Sequence, residues 1–367
     1  MRGLTFASCA TLVVTLCIPF TGCKTESVSR SGEISKETPL LHADGTVAAH
    51  GWARGPLMQY DRSLVQADHL GGLREWEYYA VFAPDFAIGL TLADIGLLSL
   101  AIVTLEDYTS GEIHDALLLG DAADLDFPLT PFEDTRFETA IGSIDYRFEE
   151  GMRTITVIAG AEGSDERIEA HLQLADSRMT ESVAVVHRFD EPGQFFYENK
   201  RVSMPATGSV HVGDTTYELP EGQSFGVFDW GRGAWPGEVR WEWGHFAGMT
   251  DGHLVGINMG TVNGDDTPGT ADAVIVDDVL HKLGRSDWEY DLEDLMAPWR
   301  FTTEDGSIDL TLTPDFDDST ALNLGPPYML TRWKVHGEIA GTVRLDDGSS
   351  LEVQDIRGAA EYVEIVW

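Results

Sequence analysis

Beyond residue 40 the chain breaks into short runs rich in β-branched and aromatic residues, each stopped by glycine, proline or a group of acids. Residues 77–82 read Glu-Tyr-Tyr-Ala-Val-Phe and end just before Pro84-Asp85. Apolar runs at 86–92 and 97–105 follow, and 153–158 alternates until Gly160. In 168–174, Ile168, Ala170, Leu172 and Leu174 share one face of a strand. Hairpins are expected at 209–217, turning at Gly213-Asp214, and at 342–353, turning at Asp346-Asp347-Gly348. A last strand spans 362–367. Helical periodicity is scarce: 287–295 predicts a short helix and 190–199 a turn of helix. Strands spaced by roughly 8 to 12 residues with few helices predict an all-β fold of sandwich or barrel type. At 367 residues the chain is too long for one up-and-down barrel. Two consecutive antiparallel barrels or sandwiches are expected, over 41–190 and 191–367.

The first forty residues follow another rule. Arg2 precedes an uncharged apolar stretch over 4–20, the form of a signal sequence. All three cysteines, Cys9, Cys17 and Cys23, lie here, so the body has neither a disulfide nor a thiolate metal site. Phe20-Thr21-Gly22-Cys23 resembles the cleavage and lipidation signal of bacterial lipoproteins, with small residues directly before the cysteine. Residues 1–22 are read as signal peptide, Cys23 as the lipidated residue and 23–40 as a tether. That tether is rich in Ser, Glu, Lys and Thr, and its only bulky aliphatics before Pro39 are Val28 and Ile34. Secretion without lipid and an uncleaved anchor are the alternatives. The expected location is the cell envelope, on the outer membrane facing the periplasm or on the cell surface, held by the N-terminal lipid.

Charge narrows the partners. Asp and Glu number 62 against 24 Lys and Arg, a formal charge of -38. Such a surface repels phosphate backbones, so no nucleic-acid partner is expected. No P-loop, G-x-S-x-G, placed G-x-G-x-x-G or H-E-x-x-H occurs, and no cofactor or metal is expected. The acids around Asn263-Gly264-Asp265-Asp266 lack the spacing of a calcium loop and read as a solvated turn.

Four of the ten tryptophans fall in one stretch, Asp229-Trp230-Gly231-Arg232-Gly233-Ala234-Trp235-Pro236 and then Trp241-Glu242-Trp243. Indole faces bind flat apolar molecules, and a guanidinium between glycines can serve as a polar anchor. Trp230, Arg232, Trp235, Trp241 and Trp243 are therefore candidate ligand contacts. The alternative is that the indoles plug a core and Arg232 is a clamp. Arg54 beside Trp52 and Trp76 beside Arg74 form a second group, again either ligand contacts or Arg–Trp stitching. Asp229, Glu242 and His245 are the candidate proton-transfer groups.

These landmarks resemble the domain of unknown function 2804 family. The likeness is carried by Gly51-Trp52-Ala53-Arg54, Trp76-Glu77-Tyr78-Tyr79, residues 91–96, Asp229-Trp230-Gly231-Arg232-Gly233 with Trp235-Pro236, Trp241-x-Trp243, residues 257–260 and His281-Lys282-Leu283. The resemblance implies a distant likeness to calycin-type proteins with two lipocalin-like barrels, including carotenoid hydratases. Those enzymes add water to a double bond with a carboxylic acid in an apolar pocket, which would make Asp229 or Glu242 the acid here. The leading expectation is a barrel pocket that binds a hydrophobic or amphipathic small molecule. The rivals are a hydratase, isomerase or hydrolase acting on a lipid or terpenoid, and a carbohydrate-binding envelope protein.

Metabolic labelling with a palmitate analogue tests the leader. The wild-type chain is expected to take up label and sediment with membranes, and Cys23→Ser to do neither. Equal labelling of both would remove Cys23 as the anchor.

Overall fold

A computed structural model describes residues 32–66, 72–121, 124–264, 268–325 and 328–366. Cys23, the leader and the acids Asp265 and Asp266 lie outside these. Among the described residues the chain is all-β, with only a 3₁₀ turn at Arg62–Leu64. The first sheet runs, neighbour by neighbour, Ile113–Asp121, Leu98–Asp107, Phe86–Asp94, Leu73–Phe82, Phe225–Ala234, Phe195–Val212, Ile168–Asp176, Gly151–Ala159, Gly142–Glu149 and Thr135–Thr139. It curls until strands from its two ends share one core, where Leu118 meets Phe137 and Ile144. The second sheet runs Val279–Lys282, Ala273–Val276, His253–Val262, Glu238–Thr250, Ser350–Val366, Tyr328–Arg344, Ile308–Asp317, Trp299–Thr303 and Ser286–Glu289. Both are near-closed antiparallel barrels.

Several expectations need correction. The sheet changes at 235–237, because the strand at 225–234 pairs with Leu73–Phe82 on one side and with the strand at 195–212 on the other. Pro236, which has no N–H to give a ladder, and Gly237 end the first sheet. Residues 286–289 form a strand paired with Trp299–Thr303, so the expected helix over 287–295 is absent. The expected helical turn at 190–199 gives way to a short turn and the strand from Phe195. The end of the supposed tether is docked: Ile34 N–H donates to the Trp52 carbonyl at 2.7 Å, Thr38–Pro39 pairs with Met58–Gln59, and Leu40 is buried.

Among the described residues, each barrel interior holds a packed core of its own side chains. In the first, Tyr79 stacks on Phe228 at 4.3 Å, and Arg153 lies 4.2 Å over Phe228 while donating to Asp176 at 2.6 Å. In the second, Phe246, Trp299, Phe301, Val335 and Val353 form the core.

The Asp-Trp-Gly-Arg-Gly run now has a physical reading. Side chains alternate across a strand, so Trp230 and Arg232 point into the first barrel while Asp229, Gly231 and Gly233 point out. Trp230 is a fully buried plug. Arg232 lies 4.1 Å over the Trp230 ring and donates to Glu77 at 3.1 Å, to the Trp76 carbonyl at 2.8 Å and to the Pro128 carbonyl at 3.0 Å. On the outer face the glycines make room. A Cβ at Gly231 would stand 2.2 Å from Trp76 Cε2, and one at Gly233 would stand 2.2 Å from Trp235 Nε1. The motif thus clamps the inside of one barrel and makes room for two indoles against its outside.

Removing one partner of a buried ion pair leaves the other uncompensated, at a cost of about 3–5 kcal/mol. Arg232→Met is therefore expected to lose stability on that scale in urea unfolding. A loss below about 1 kcal/mol, the range of an exposed pair, would contradict the clamp.

Candidate functional site between the barrels

The two barrels meet outer face to outer face, and a cavity of about 500 Å³ lies in the seam. Its first wall comes from strands 73–82, 86–94, 98–107, 195–212 and 225–234, and its second from strands 238–250, 328–344 and 350–366. The sequence analysis expected a pocket inside a barrel; this cavity lies between the two.

Period-two alternation explains which side chains arrive there. On the first barrel, Trp76 and Tyr78 share the outward face of their strand, as do Glu198 and Lys200 of theirs. Asp229 sits directly opposite both Tyr78 and Lys200 in the ladder. On the second barrel, Trp241, Trp243 and His245 alternate outward, Glu361 lies opposite Trp243, and Lys334 lies opposite Glu361. Trp76, Phe196, Trp235 and Trp241 form an aromatic corner: Trp76 is 5.2 Å from Trp235 and 5.0 Å from Phe196, and Trp235 is 6.1 Å from Trp241.

Beneath that corner is a buried charged group. Lys200 Nζ lies 2.8 Å from Asp229 and 3.0 Å from Glu198, and 4.0 Å over the Trp243 ring. His187 bonds Glu198 at 3.1 Å, and Trp76 Nε1 donates to Asp229 at 3.0 Å. Burial disfavours the Glu198 carboxylate, but Lys200 and His187 together hold its pKa below the ordinary range. Burial pushes Asp229 up, with Glu198 adding to the rise and Lys200 opposing it. One cation therefore serves two carboxyls, and Asp229 is the one biased toward its protonated form.

A second buried group closes the seam. Lys334 lies 3.0 Å from Asp318 and 3.4 Å from Glu106, which reaches across from the first barrel. His336 Nε2 is 3.6 Å from Glu106, and its Nδ1 pairs with the Tyr108 hydroxyl at 2.9 Å. Glu106, Asp318 and His336 converge closely enough to suit a cation. The Lys334 ammonium already stands among them, so the set does not fit a divalent ion as well. Burial, with Asp318 beside it, pushes Glu106 up to about 8 against the pull of Lys334, and burial with Lys334 pushes His336 down to about 3.

The sequence-derived candidates separate accordingly. Trp76, Asp229, Trp235, Trp241 and Trp243 line the cavity. Trp230 and Arg232 do not, being turned into the first barrel. Arg54 is a stitch: it pairs with Glu33 at 3.0 Å and Glu181 at 3.1 Å, reaches Asp346 at 3.4 Å and bonds the Leu280 carbonyl. Glu242 borders the cavity, but its carboxylate accepts from Tyr290 at 2.8 Å. His245 is fully buried, stacked 3.9 Å from Trp243, and burial holds it well below its usual pKa. It is not a wall of the cavity. Glu198, Lys200, Tyr78, Glu106, Lys334 and His336 escaped the sequence reading. Their signal was polar residues at alternate positions inside apolar runs, Glu198-Asn199-Lys200 and Lys334-Val335-His336.

Two near-closed antiparallel barrels with an aromatic-lined cavity at their seam define the class of protein. The chain belongs to the domain of unknown function 2804 family, whose model matches residues 31–367. No curated protein matches it. Among solved structures it is similar to CghA, at 14% identity over 80% of this chain and 88% of that one, with a TM-score of 0.47. It is also similar to kievitone hydratase from Nectria haematococca, at 12% identity over 90% of this chain and 98% of that one, with a TM-score of 0.45. At these identities the likeness concerns the course of the chain alone.

The raised Glu106 gives a signed prediction. A carboxyl with a folded pKa above its unfolded one favours the fold when protonated. Its contribution is complete below about pH 4.3 and is lost as pH rises through the folded value, here about 8. Glu106→Gln keeps an uncharged donor, so urea stability of the variant should gain on wild type as pH rises from about 5 to about 8. Parallel pH profiles for the two proteins would contradict it.

Proposed function

We propose that the protein binds a hydrophobic or amphipathic small molecule in the seam cavity. The observation that carries this reading is the corner of Trp76, Phe196, Trp235 and Trp241, joined by Trp243, facing a hollow of about 500 Å³. Pockets for small ligands are largely apolar and aromatic, with a few placed polar groups, and this one follows that pattern. Indoles from two separate barrels border one space, which offers an apolar guest aromatic surface on both sides of the seam.

A second reading has one specific support. Asp229 borders the cavity with its pKa raised by burial, as a carboxylic acid that donates a proton requires. The enzyme alternative, a hydratase, isomerase or hydrolase acting on a lipid or terpenoid, therefore rests on Asp229, with Lys200 and Glu198 setting its charge. Glu242 and His245 have no such claim, since one is held by Tyr290 and the other is shut off from the cavity. The Cys23 lipid anchor and the envelope location belong to this proposal as the setting in which a poorly soluble ligand is met.

Tryptophan fluorescence tests binding. A panel of apolar polyenes and aromatic hydrocarbons should quench the wild-type protein saturably. Trp243→Ala, which removes a cavity wall and the cap over Lys200, should weaken quenching about tenfold or more, the loss of roughly 1.4 kcal/mol. A folded sample that responds to no member of the panel contradicts the reading. For the enzyme alternative, Asp229→Asn should abolish turnover of any ligand found to react while leaving its binding within about threefold; retained turnover excludes Asp229 as the acid.

A further inference from the structure

The cations deep in the cavity are already paired within the chain. Lys200 is held between Glu198 and Asp229, and Arg332 donates to Asp318 at 2.8 Å. The Glu361 carboxylate accepts from Trp241 Nε1 at 2.8 Å. An anionic ligand would lose its hydration there without meeting an unmatched cation, and that desolvation is costly.

Three hydroxyl side chains behave differently. Tyr78 and Thr91 are direct cross-strand partners, and Thr104 lies opposite Gly89, one pair further along the same outward face. The Tyr78 hydroxyl reaches over Gly89, 3.5 Å from where a Cβ would stand, and so approaches Thr104. All three residues line the cavity, and among the described residues their hydroxyls make no hydrogen bond within the chain. The Tyr78 ring is fixed from the second barrel by edge contacts with Trp243 at 5.6 Å and His245 at 6.1 Å. Its direction is therefore set before any guest arrives. Burial pushes its pKa up to about 12, so it remains a donor across the physiological range.

Building on the binding role proposed above, we infer that the cavity selects a neutral ligand carrying an oxygen acceptor, such as a ketone or an ether, and that Tyr78, flanked by Thr91 and Thr104, receives that oxygen. The indoles hold the flat apolar body and the hydroxyl patch fixes its orientation. A group that donates without bearing charge suits this place, because it adds no net charge to a seam that holds two compensated ionic clusters.

Three rigid probes separate this inference from the reading beneath it: fluorene, 9-fluorenone and fluorene-9-carboxylate, titrated by tryptophan quenching with absorbance correction. Fluorenone should bind the wild-type protein about five- to tenfold tighter than fluorene, the scale of one hydrogen bond in a dry site. The carboxylate should bind more weakly than fluorene. Tyr78→Phe should bring fluorenone down to fluorene while leaving fluorene within about twofold, since only the donor is lost. Thr91→Val, which preserves shape, should reduce the fluorenone preference partially and guards against a misfolded Tyr78 variant. Equal binding of fluorene and fluorenone to wild type overturns the inference while leaving the binding role standing. So does a fluorenone preference that survives in both Tyr78→Phe and Thr91→Val, or a preference for the carboxylate. Failure of all three probes to bind overturns the inference together with the reading it rests on.

Discussion

The structure depends on a dry contact between two faces that each carry charge. Glu198, Lys200, Asp229 and Glu106 on one barrel meet Asp318, Arg332, Lys334 and His336 on the other with water largely excluded. Isolated charges are not tolerated in such a place, so the chain matches them in small closed sets. One ammonium lies between two carboxyls at Lys200, and another at Lys334. Burial pushes the pKa of one acid in each set, Asp229 and Glu106, upward. The cavity inherits its character from this arrangement: apolar aromatic surface above, electrically neutral groups below.

The glycines in the tryptophan-rich stretch belong to the same design. Gly231 and Gly233 have no side chain on the outer face, and the indoles of Trp76 and Trp235 take that space. On the inner face Trp230 and Arg232 fill and clamp the first barrel. One strand thus supplies a core on one side and a cavity wall on the other. The cavity can have rigid walls because it is built on ladders of paired strands rather than on loops.

Much of this was legible in the sequence, and the failures have physical causes. The all-β fold and the pair of barrels followed from alternation and turn residues, and the family landmarks pointed the same way. Asp229, Trp76, Trp235, Trp241 and Trp243 do converge on a cavity. Sequence alone could not place it, because burial between barrels and burial within a barrel leave the same mark of apolar residues on both faces of a strand. That ambiguity assigned Trp230 and Arg232 to the ligand when they serve the core. It also hid Glu198-Asn199-Lys200, which begin within and run past the stretch 190–199 expected to make a turn of helix. They are a strand whose charges are answered from the strand beside it. Arg54 illustrates the converse: an Arg next to a Trp reads as a ligand contact, and it ties Glu33, Glu181 and Asp346 together.

The central claim is that the guest lies between the barrels. Photo-cross-linking with a diazirine-bearing fluorene, followed by peptide mass spectrometry, locates it directly. The account predicts labels on peptides holding Trp76, Phe196, Trp235, Trp241 or Trp243, lost on competition with excess fluorene. Competed labels confined to barrel-interior residues such as Phe137, Tyr146 or Phe301 would contradict it.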